Sequence, residues 1–154
     1  MQLIASTTDT TLQWCAGVMA QSDPWMTLGR EQEQCLAMLR DPLRETWLMG
    51  DELAPLGFAV LCFAGPLSGY LQALCIAPAH RGRGLGTALL RAAEQQVFKR
   101  SPNFFLCVSS FNTGAIRLYE REGFARVGEL TNFVVQGHSE WLYRKTLGPL
   151  MQRQ

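Results

Sequence analysis

Histidine, lysine and long apolar runs are all scarce in this chain of 154 residues. No apolar stretch approaches the roughly 18 residues that cross a bilayer, and the opening Met-Gln-Leu-Ile-Ala-Ser lacks the basic start of a secretory signal. We therefore expect no membrane partner and a cytoplasmic location. Histidine occurs only at His80 and His138, and no C-x-x-C pair is present. The histidines and cysteines thus do not have the spacing of metal ligands, and we predict no metal.

The five cysteines are an odd number, and each has apolar or small neighbours in an apparent helix or strand. This setting is typical of small buried hydrophobic residues and does not favour a nucleophilic Cys–His pair. The five are Cys15, Cys35, Cys62, Cys75 and Cys107.

Positive and negative side chains nearly balance each other, which gives a net charge of +1 and an isoelectric point of about 7.6. This balance provides no broad field for nucleic acid or for an anionic membrane, so any basic patch must be local. An acidic cluster that would attract a polycationic acceptor is also absent from the sequence. The length, the 47% hydrophobic content and a mean hydropathy near zero indicate one globular domain. We place this domain at residues 1–147, followed by a tail at 148–154.

Apolar periodicity and turn residues predict seven strands and four helices in the order β-α-α-β-β-β-α-β-α-β-β. The predicted strands are Leu3–Ser6, Thr46–Met49, Gly57–Phe63, Tyr70–Ile76, Phe104–Val108, Phe124–Val127 and Trp141–Leu147. The predicted helices are Thr10–Ala20 behind an Asp9 cap, Leu28–Leu39, a helix from near Leu85 towards Arg100, and a short helix capped by Asn112 and ended by Gly123. The second to fourth strands form an antiparallel meander, and the strand–helix–strand segment around the third helix predicts parallel pairing.

A glycine-rich loop, Arg81-Gly-Arg-Gly-Leu-Gly-Thr87, lies between an apolar strand and the third helix. Glycines allow backbone N–H groups to approach an anion, and a helix that begins there adds unpaired amides and the positive end of its dipole. The loop is not a P-loop, because no lysine occurs before Lys99, and it is not a dinucleotide fingerprint, because Thr87 stands where the third glycine is required. It matches Q/R-x-x-G-x-G/A.

A second motif follows in the segment from Asn112 to Phe124, which reads N-x-x-A-x-x-L-Y-x-x-x-G-F. In this order and at this spacing, the two motifs resemble those of the GCN5-related N-acetyltransferase (GNAT) family. With the strands that lead into them, they cover roughly residues 69–127, a little over a third of the chain. The resemblance implies a single α/β (α+β) domain of that family's fold, with a mixed, mostly antiparallel sheet. It also implies an N-acetyltransferase that moves an acetyl group from acetyl-CoA to a primary amine.

The resemblance further implies which residues bind acetyl-CoA. The pantetheine arm would pair with backbone at Leu74-Cys75-Ile76, the pyrophosphate would lie on the amides of the glycine-rich loop, and Asn112 would contact the cofactor. The loop positions are Arg81, Gly82, Arg83, Gly84, Leu85, Gly86 and Thr87.

Amine attack on a thioester needs a neutral amine, donors for the developing oxyanion and an acid for the departing thiolate. A backbone N–H near Cys75 could serve the oxyanion. Tyr119 stands where the family's tyrosine acid commonly lies, and we expect it to contact the cofactor and act as the acid. The alternative is a core tyrosine that packs between helix and sheet.

The general base is where the sequence departs from the family pattern. Histone-acetylating members have a glutamate near the start of the strand before the loop, where this chain has Tyr70. Ribosomal-protein N-terminal acetylases have one on the following strand, where this chain has Cys107. A base acting through water is therefore expected. The candidates in loops or at strand ends are His138, Glu140, Asp51 and Glu52.

Acceptor recognition is expected at the N-terminal helices and in the segment Leu130–Glu140, where the unusual residues are Trp25, Arg30, Phe133 and His138. A small amine and a peptide amine both remain open as acceptors. The alternative function is a catalytically inactive acyl-CoA-binding sensor or interaction module. Nucleic-acid binding through the basic loop would require more positive charge and exposed aromatic residues. An edge strand could support a homodimer.

Overall fold

Seven strands form one mixed sheet in the computed structural model, which describes residues 2–151. The strands are β1 (Ile4–Ser6), β2 (Arg44–Gly50), β3 (Pro55–Cys62), β4 (Tyr70–Ile76), β5 (Asn103–Ser109), β6 (Ala125–Thr131) and β7 (Ser139–Thr146). The helices are α1 (Asp9–Ala20), α2 (Gln32–Leu39), α3 (Leu85–Phe98) and α4 (Thr113–Arg121), with a short 3-10 turn at Pro78–His80. The predicted order of elements is confirmed.

The strand order across the sheet is β1-β2-β3-β4-β5-β7-β6, and only β4 and β5 pair in parallel. Their pairing is confined to Tyr70 with Phe105 and Leu71 with Leu106. On its other side, β4 remains paired with β3 as far as Ile76, with a register shift that leaves Gln72 without an opposite residue. Strands β4 and β5 therefore separate beyond Leu71 and leave a gap in the sheet.

Two apolar cores form on the sheet, and strand alternation divides its side chains between them. One core joins α3 and α4 to the sheet through residues such as Leu89, Leu90 and Phe104. The other joins α1 and α2 to the sheet through residues such as Met19 and Phe58. The helices thus cover both faces and hold the gap between β4 and β5 at the centre of the molecule.

The predicted starts of the first two helices are wrong by one and by four residues. Thr8, not Asp9, is the N-cap of α1, because its extended backbone lets its hydroxyl accept from the Thr11 amide, at 3.4 Å. Helix α2 does not include Leu28, because Gly29 has a φ of +67° and breaks the helical pattern. A capping box at Glu31 then starts the helix at Gln32.

Other boundaries shift by a few residues. Helix α3 ends at Phe98 rather than Arg100, and β6 continues to Thr131, which shortens the β6–β7 connection to residues 132–138. Strand β4 has the predicted bounds at both ends. Gly123 follows the last residues of α4 with a φ of +90°, so its predicted role at the helix end is confirmed.

Four of the five cysteines are buried as predicted, whereas Cys107 is only partly buried. Within residues 2–151 no helix is long and apolar enough to cross a bilayer. Part of the predicted tail, residues 152–154, lies outside the described residues.

Candidate active site in the gap between two strands

The gap between β4 and β5 joins two cavities. A groove of about 660 Å³ runs along the glycine-rich loop and the starts of α3 and α4. A second cavity, of about 240 Å³, lies against the α1–α2 connection and the β6–β7 connection. Both are lined by Leu74, Ala115 and Tyr119. These three residues therefore stand where the groove and the second cavity meet.

The glycine-rich loop presents unpaired backbone amides to the groove. Gly82 and Gly84 have φ values of +76° and +72°, a conformation that L side chains rarely adopt, and a Cβ at either would meet no protein atom within 4 Å. Gly84 is the N-cap of α3, and the Ala88 amide donates to its carbonyl at 3.2 Å. The amides before Ala88 consequently remain available at the positive end of the helix dipole, and no acidic residue lies in the first turn.

Six of the seven predicted loop positions line the groove, and Arg83 does not. The guanidinium of Arg81 points away from an anion site: its Nε donates to the Ile76 carbonyl at 3.0 Å and its Nη2 donates to the Ser22 hydroxyl at 2.6 Å. Arg81 thus ties the end of β4 to the end of α1. Sequence reasoning did not identify Arg121, which lines the groove from α4 and lies 3.4 Å from the Thr87 hydroxyl.

The predicted pantetheine segment lies on the free side of β4. Leu74 and Ile76 line the groove, while the Cys75 side chain is buried in the core formed with α1 and α2. Beyond Leu71, the backbone of β4 has no β5 partner. The Ile76 carbonyl accepts from the Arg81 Nε, whereas the other N–H and C=O groups on this side of β4 can pair with an extended ligand.

Asn112 caps α4 as predicted, because its Oδ1 accepts from the Ala115 amide at 3.4 Å. Its side chain lines the second cavity rather than the groove.

His80 lines the groove beside the glycine-rich loop, and its buried Nδ1 has no hydrogen-bond partner within residues 2–151.

Tyr119 is 8% exposed and sits on α4 at the junction of the two cavities. Burial, with a smaller contribution from Cys75, raises the pKa of its hydroxyl above the ordinary value of 10. The phenol therefore keeps its proton at any physiological pH and can act as a hydrogen-bond donor.

Glu140 is one of the four base candidates and lines the second cavity, as Tyr119 does. It pairs with Ser109 across β5 and β7, and its Oε1 accepts from the Ser109 hydroxyl at 2.5 Å. The residue is 6% exposed, and burial raises the pKa of its carboxyl above the ordinary value of 4.5, although Ser109 and His138 partly oppose this shift. A carboxylate with a raised pKa is a stronger base than an ordinary one.

The two positions without the family's glutamate lie beside Glu140 in the same cavity. Tyr70 is opposite Phe105 on the next strand, and strand alternation places it on the same sheet face as Cys107 and Ser109. Burial raises the pKa of both Tyr70 and Cys107, and the Glu140 charge adds to each rise. Both side chains therefore stay protonated, so neither can accept a proton from an amine.

The other base candidates are placed elsewhere. Asp51 accepts from the backbone amides of Leu53 and Ala54, at 2.9 and 2.7 Å, within its own turn. Glu52 accepts from the Ser6 hydroxyl at 2.5 Å. Neither residue lines the second cavity.

Of the four residues expected to recognise the acceptor, three line the second cavity and one does not. Trp25, Arg30 and Phe133 line the second cavity, although they come from the α1–α2 and β6–β7 connections. His138 instead packs its ring against Phe111, with the ring centroids 5.0 Å apart.

Three features of the groove fit an elongated anionic thioester such as acetyl-CoA. The first-turn amides of α3 and the Arg121 guanidinium suit phosphate groups, the space beside Gly82 and Gly84 admits a close approach, and the open β4 edge suits an amide-bearing arm. Within residues 2–151, no group of three or more His, Cys, Asp or Glu side chains could hold a metal ion.

The mixed sheet with a glycine-rich loop at its strand gap defines an α/β fold whose groove suits an elongated, phosphate-bearing ligand. Residues 10–124 match the model of the acetyltransferase (GNAT) family. The chain belongs to this family of transferase enzymes.

Similarity to individual proteins agrees with this assignment. Over 80 residues, 49% of the chain, it is 32% identical to "Acetyltransferase Atu2258" of Agrobacterium fabrum. The matched segment spans about half, 55%, of that relative's length.

The structure is similar over 99% of the chain to the ribosomal-protein-S18-alanine N-acetyltransferase from Escherichia coli, with 97% of that chain covered, 18% identity and a TM-score of 0.78. It is also similar to an aminoglycoside 6'-N-acetyltransferase complexed with coenzyme A, with 16% identity, 99% and 100% coverage and a TM-score of 0.74. These likenesses confirm the predicted fold.

Proposed function

We propose that the protein is an acetyl-CoA-dependent N-acetyltransferase that transfers the acetyl group directly to a primary amine in a ternary complex. The observation that carries this proposal is the meeting of the groove and the second cavity at Leu74, Ala115 and Tyr119. A thioester held in the groove and an amine held in the second cavity would react at this junction. An aminoglycoside 6'-N-acetyltransferase of similar fold is complexed with coenzyme A, which supports acetyl-CoA as the thioester.

The loop from Arg81 to Thr87 binds the pyrophosphate through its amides, and Arg121 supplies the nearby positive charge. Arg81 acts by holding the loop, because its guanidinium already bonds Ile76 and Ser22. Leu74, Cys75 and Ile76 pair with the pantetheine arm through their backbone. Asn112 lines the second cavity and contacts the cofactor where that cavity meets the groove, through its Nδ2, because its Oδ1 is already committed to the helix cap.

Glu140 takes the first proton. An amine enters the second cavity as an ammonium ion and gives a proton to the Glu140 carboxylate, directly or through one water. The neutral nitrogen then forms a bond to the thioester carbonyl carbon. A free backbone N–H of β4 near Cys75 donates to the oxygen on which negative charge develops.

Tyr119 acts when the C–S bond breaks. Its raised pKa makes it a weaker acid than a free phenol, so it offers a hydrogen bond that strengthens as charge develops on sulfur and gives its proton late. Glu140, having released its first proton to the solvent, takes the remaining excess proton from the nitrogen and releases that one as well. Tyr119 regains a proton from the solvent, so that one proton is released overall. The products are an amide and the free thiol.

The test is steady-state thiol release by wild type, Tyr119→Phe and Tyr143→Phe. Tyr119→Phe should lower kcat by about 100-fold with acetyl-CoA affinity largely retained, because only the donor to sulfur is removed. Tyr143 is a suitable control: it is buried on β7, its hydroxyl donates to Glu120 at 2.8 Å, and it lines neither cavity. Unchanged turnover in Tyr119→Phe would refute its assignment as the acid.

The second candidate is an inactive acyl-CoA sensor, which the missing glutamates at Tyr70 and Cys107 would favour. The buried Glu140 in the same cavity favours the enzyme, since a sensor has no need of an ionisable group there. Acetyl-CoA binding without thiol release from any of a broad panel of primary amines would support the sensor.

A further inference from the structure

The second cavity has a composition that distinguishes among amines. Five apolar side chains of its wall come from three separate segments of the chain. Trp25 and Leu28 lie in the α1–α2 connection, Met38 lies on α2, and Phe133 and Val134 lie in the β6–β7 connection. The volume of about 240 Å³ suits a compact group rather than a large ring system.

Charged side chains in this wall are few and of both signs. Asp23, Arg30 and Glu140 line the cavity, so two carboxylates face one guanidinium. The Oδ1 of Asp23 accepts from the Thr27 hydroxyl at 2.6 Å. The formal charges of the three side chains sum to −1, so the lining matches one ammonium ion, whereas a second ammonium or an added carboxylate would leave one charge unmatched.

Phe133 is exposed although it lines the cavity. It is 61% exposed, which is unusual for a large apolar side chain in a connection next to a reaction site. An apolar group that entered the cavity would cover part of this ring and gain free energy from the contact.

We infer that the acceptor is a small primary amine with a single positive charge on a compact apolar body, bound with the amine at Glu140 and the body against Trp25, Leu28 and Phe133. This inference rests on the proposed function and names the substrate class of the same site. It separates the chain from the aminoglycoside acetyltransferase of similar fold, whose acceptor is a polycation.

Matched pairs of amines test this inference. Phenethylamine and phenylalanine differ by a carboxylate, while hexylamine and hexamethylenediamine differ by a second ammonium group. In amine-dependent thiol release, the first member of each pair should have a kcat/KM about tenfold or more above the second. A clear preference for phenylalanine or for hexamethylenediamine would overturn the inference while leaving the transferase assignment intact.

Two pairs of variants locate the selectivity. Phe133→Ala should raise the KM for phenethylamine about fivefold with acetyl-CoA affinity unchanged. Met26→Ala should not raise this KM, because Met26 is 57% exposed in the α1–α2 connection but does not line the cavity.

Arg30→Glu should improve kcat/KM for hexamethylenediamine relative to hexylamine. Arg117→Glu, an exposed change outside both cavities, should not. Equal effects within either pair would contradict the inference.

Calorimetry with phenethylamine on the protein saturated with coenzyme A separates the two proposals. If phenethylamine binds more weakly to Phe133→Ala than to wild type, and wild type releases no thiol from acetyl-CoA in the separate turnover assay, the acceptor site is supported and the transferase activity is refuted. Neither binding nor turnover with phenethylamine and hexylamine, in protein that binds acetyl-CoA, would refute the acceptor class.

Discussion

At the scale of single residues, burial changes the chemistry of Tyr119 and Glu140 in complementary ways. It raises the pKa of both groups. For Tyr119 the result is a proton that is held at neutral pH, and for Glu140 the result is a carboxylate of greater basicity. Amine acetylation requires an acid and a base, which are the roles that we propose for Tyr119 and Glu140.

The pH dependence of Glu140→Gln tests the base. The acid limb of kcat/KM for the amine in wild type should lie above pH 4.5, the ordinary value for a glutamate, because burial raises the pKa. Glu140→Gln should remove this limb and lower kcat/KM by about 100-fold. A variant with the wild-type profile would show that another group accepts the proton.

The same substitution should not destabilise the fold. A glutamate whose pKa is raised on folding contributes stability that is present below its unfolded value and is lost as pH rises through the folded value. At neutral pH, ionised Glu140 therefore opposes folding, and glutamine can still accept from the Ser109 hydroxyl. We expect the free energy of unfolding of Glu140→Gln to equal or exceed that of wild type at pH 7. Urea denaturation at pH 4 and pH 7 measures this, and a large loss at pH 7 would point to a structural role.

Glu140 also shows what a single residue's sequence context cannot reveal. The sequence identifies it only as one of four candidates, because nothing local distinguishes it from Glu52 or Asp51. Its position depends on the pairing of β5 with β7, which brings Ser109 and Glu140 together across 31 residues. Arg121 was missed for a similar reason, since its distance from the loop depends on how α3 packs beside α4.

At the scale of elements, the glycine-rich loop is held by Arg81 as much as by its glycines. The Arg81 guanidinium links the Ile76 carbonyl to Ser22, whose hydroxyl donates in turn to the Val18 carbonyl at 2.6 Å. The loop motif predicted an arginine at this position, but its direction could be known only from the contact between α1 and β4. Local signals determined the bounds of β4, which are the predicted ones. The predicted start of α2 was wrong because it overlooked Gly29, whose positive φ breaks the helical pattern.

Arg81→Ala and Arg83→Ala should separate these roles. Arg81→Ala removes two hydrogen bonds and should lower the free energy of unfolding by about 1–3 kcal/mol. Arg83→Ala should leave stability unchanged within about 0.5 kcal/mol, because Arg83 is exposed and lines neither cavity. Urea denaturation of both variants measures the difference, and equal stabilities would contradict the linking role of Arg81.

At the scale of the whole molecule, the gap between β4 and β5 turns two separate cavities into one site. The order of elements and the two motifs were sufficient to predict the sheet, its single parallel pair and the loop at the start of α3. The second cavity could not be predicted in the same way, because its walls come from connections between elements and from both sheet faces. Trp25 and Phe133 were recognised as unusual, but only the fold places them in one wall.

The most direct test of the central claim is acetyl-CoA binding by calorimetry for wild type, Gly84→Asp and Gly65→Asp. Both glycines have positive φ and open space around a Cβ, so both variants carry the same backbone strain and the same added charge. Only Gly84 lines the groove. We expect Gly65→Asp to bind as wild type does and folded Gly84→Asp to lose binding by about 100-fold or more, because a carboxylate would then face the pyrophosphate. Equal binding by all three proteins, or none by wild type, would contradict the account.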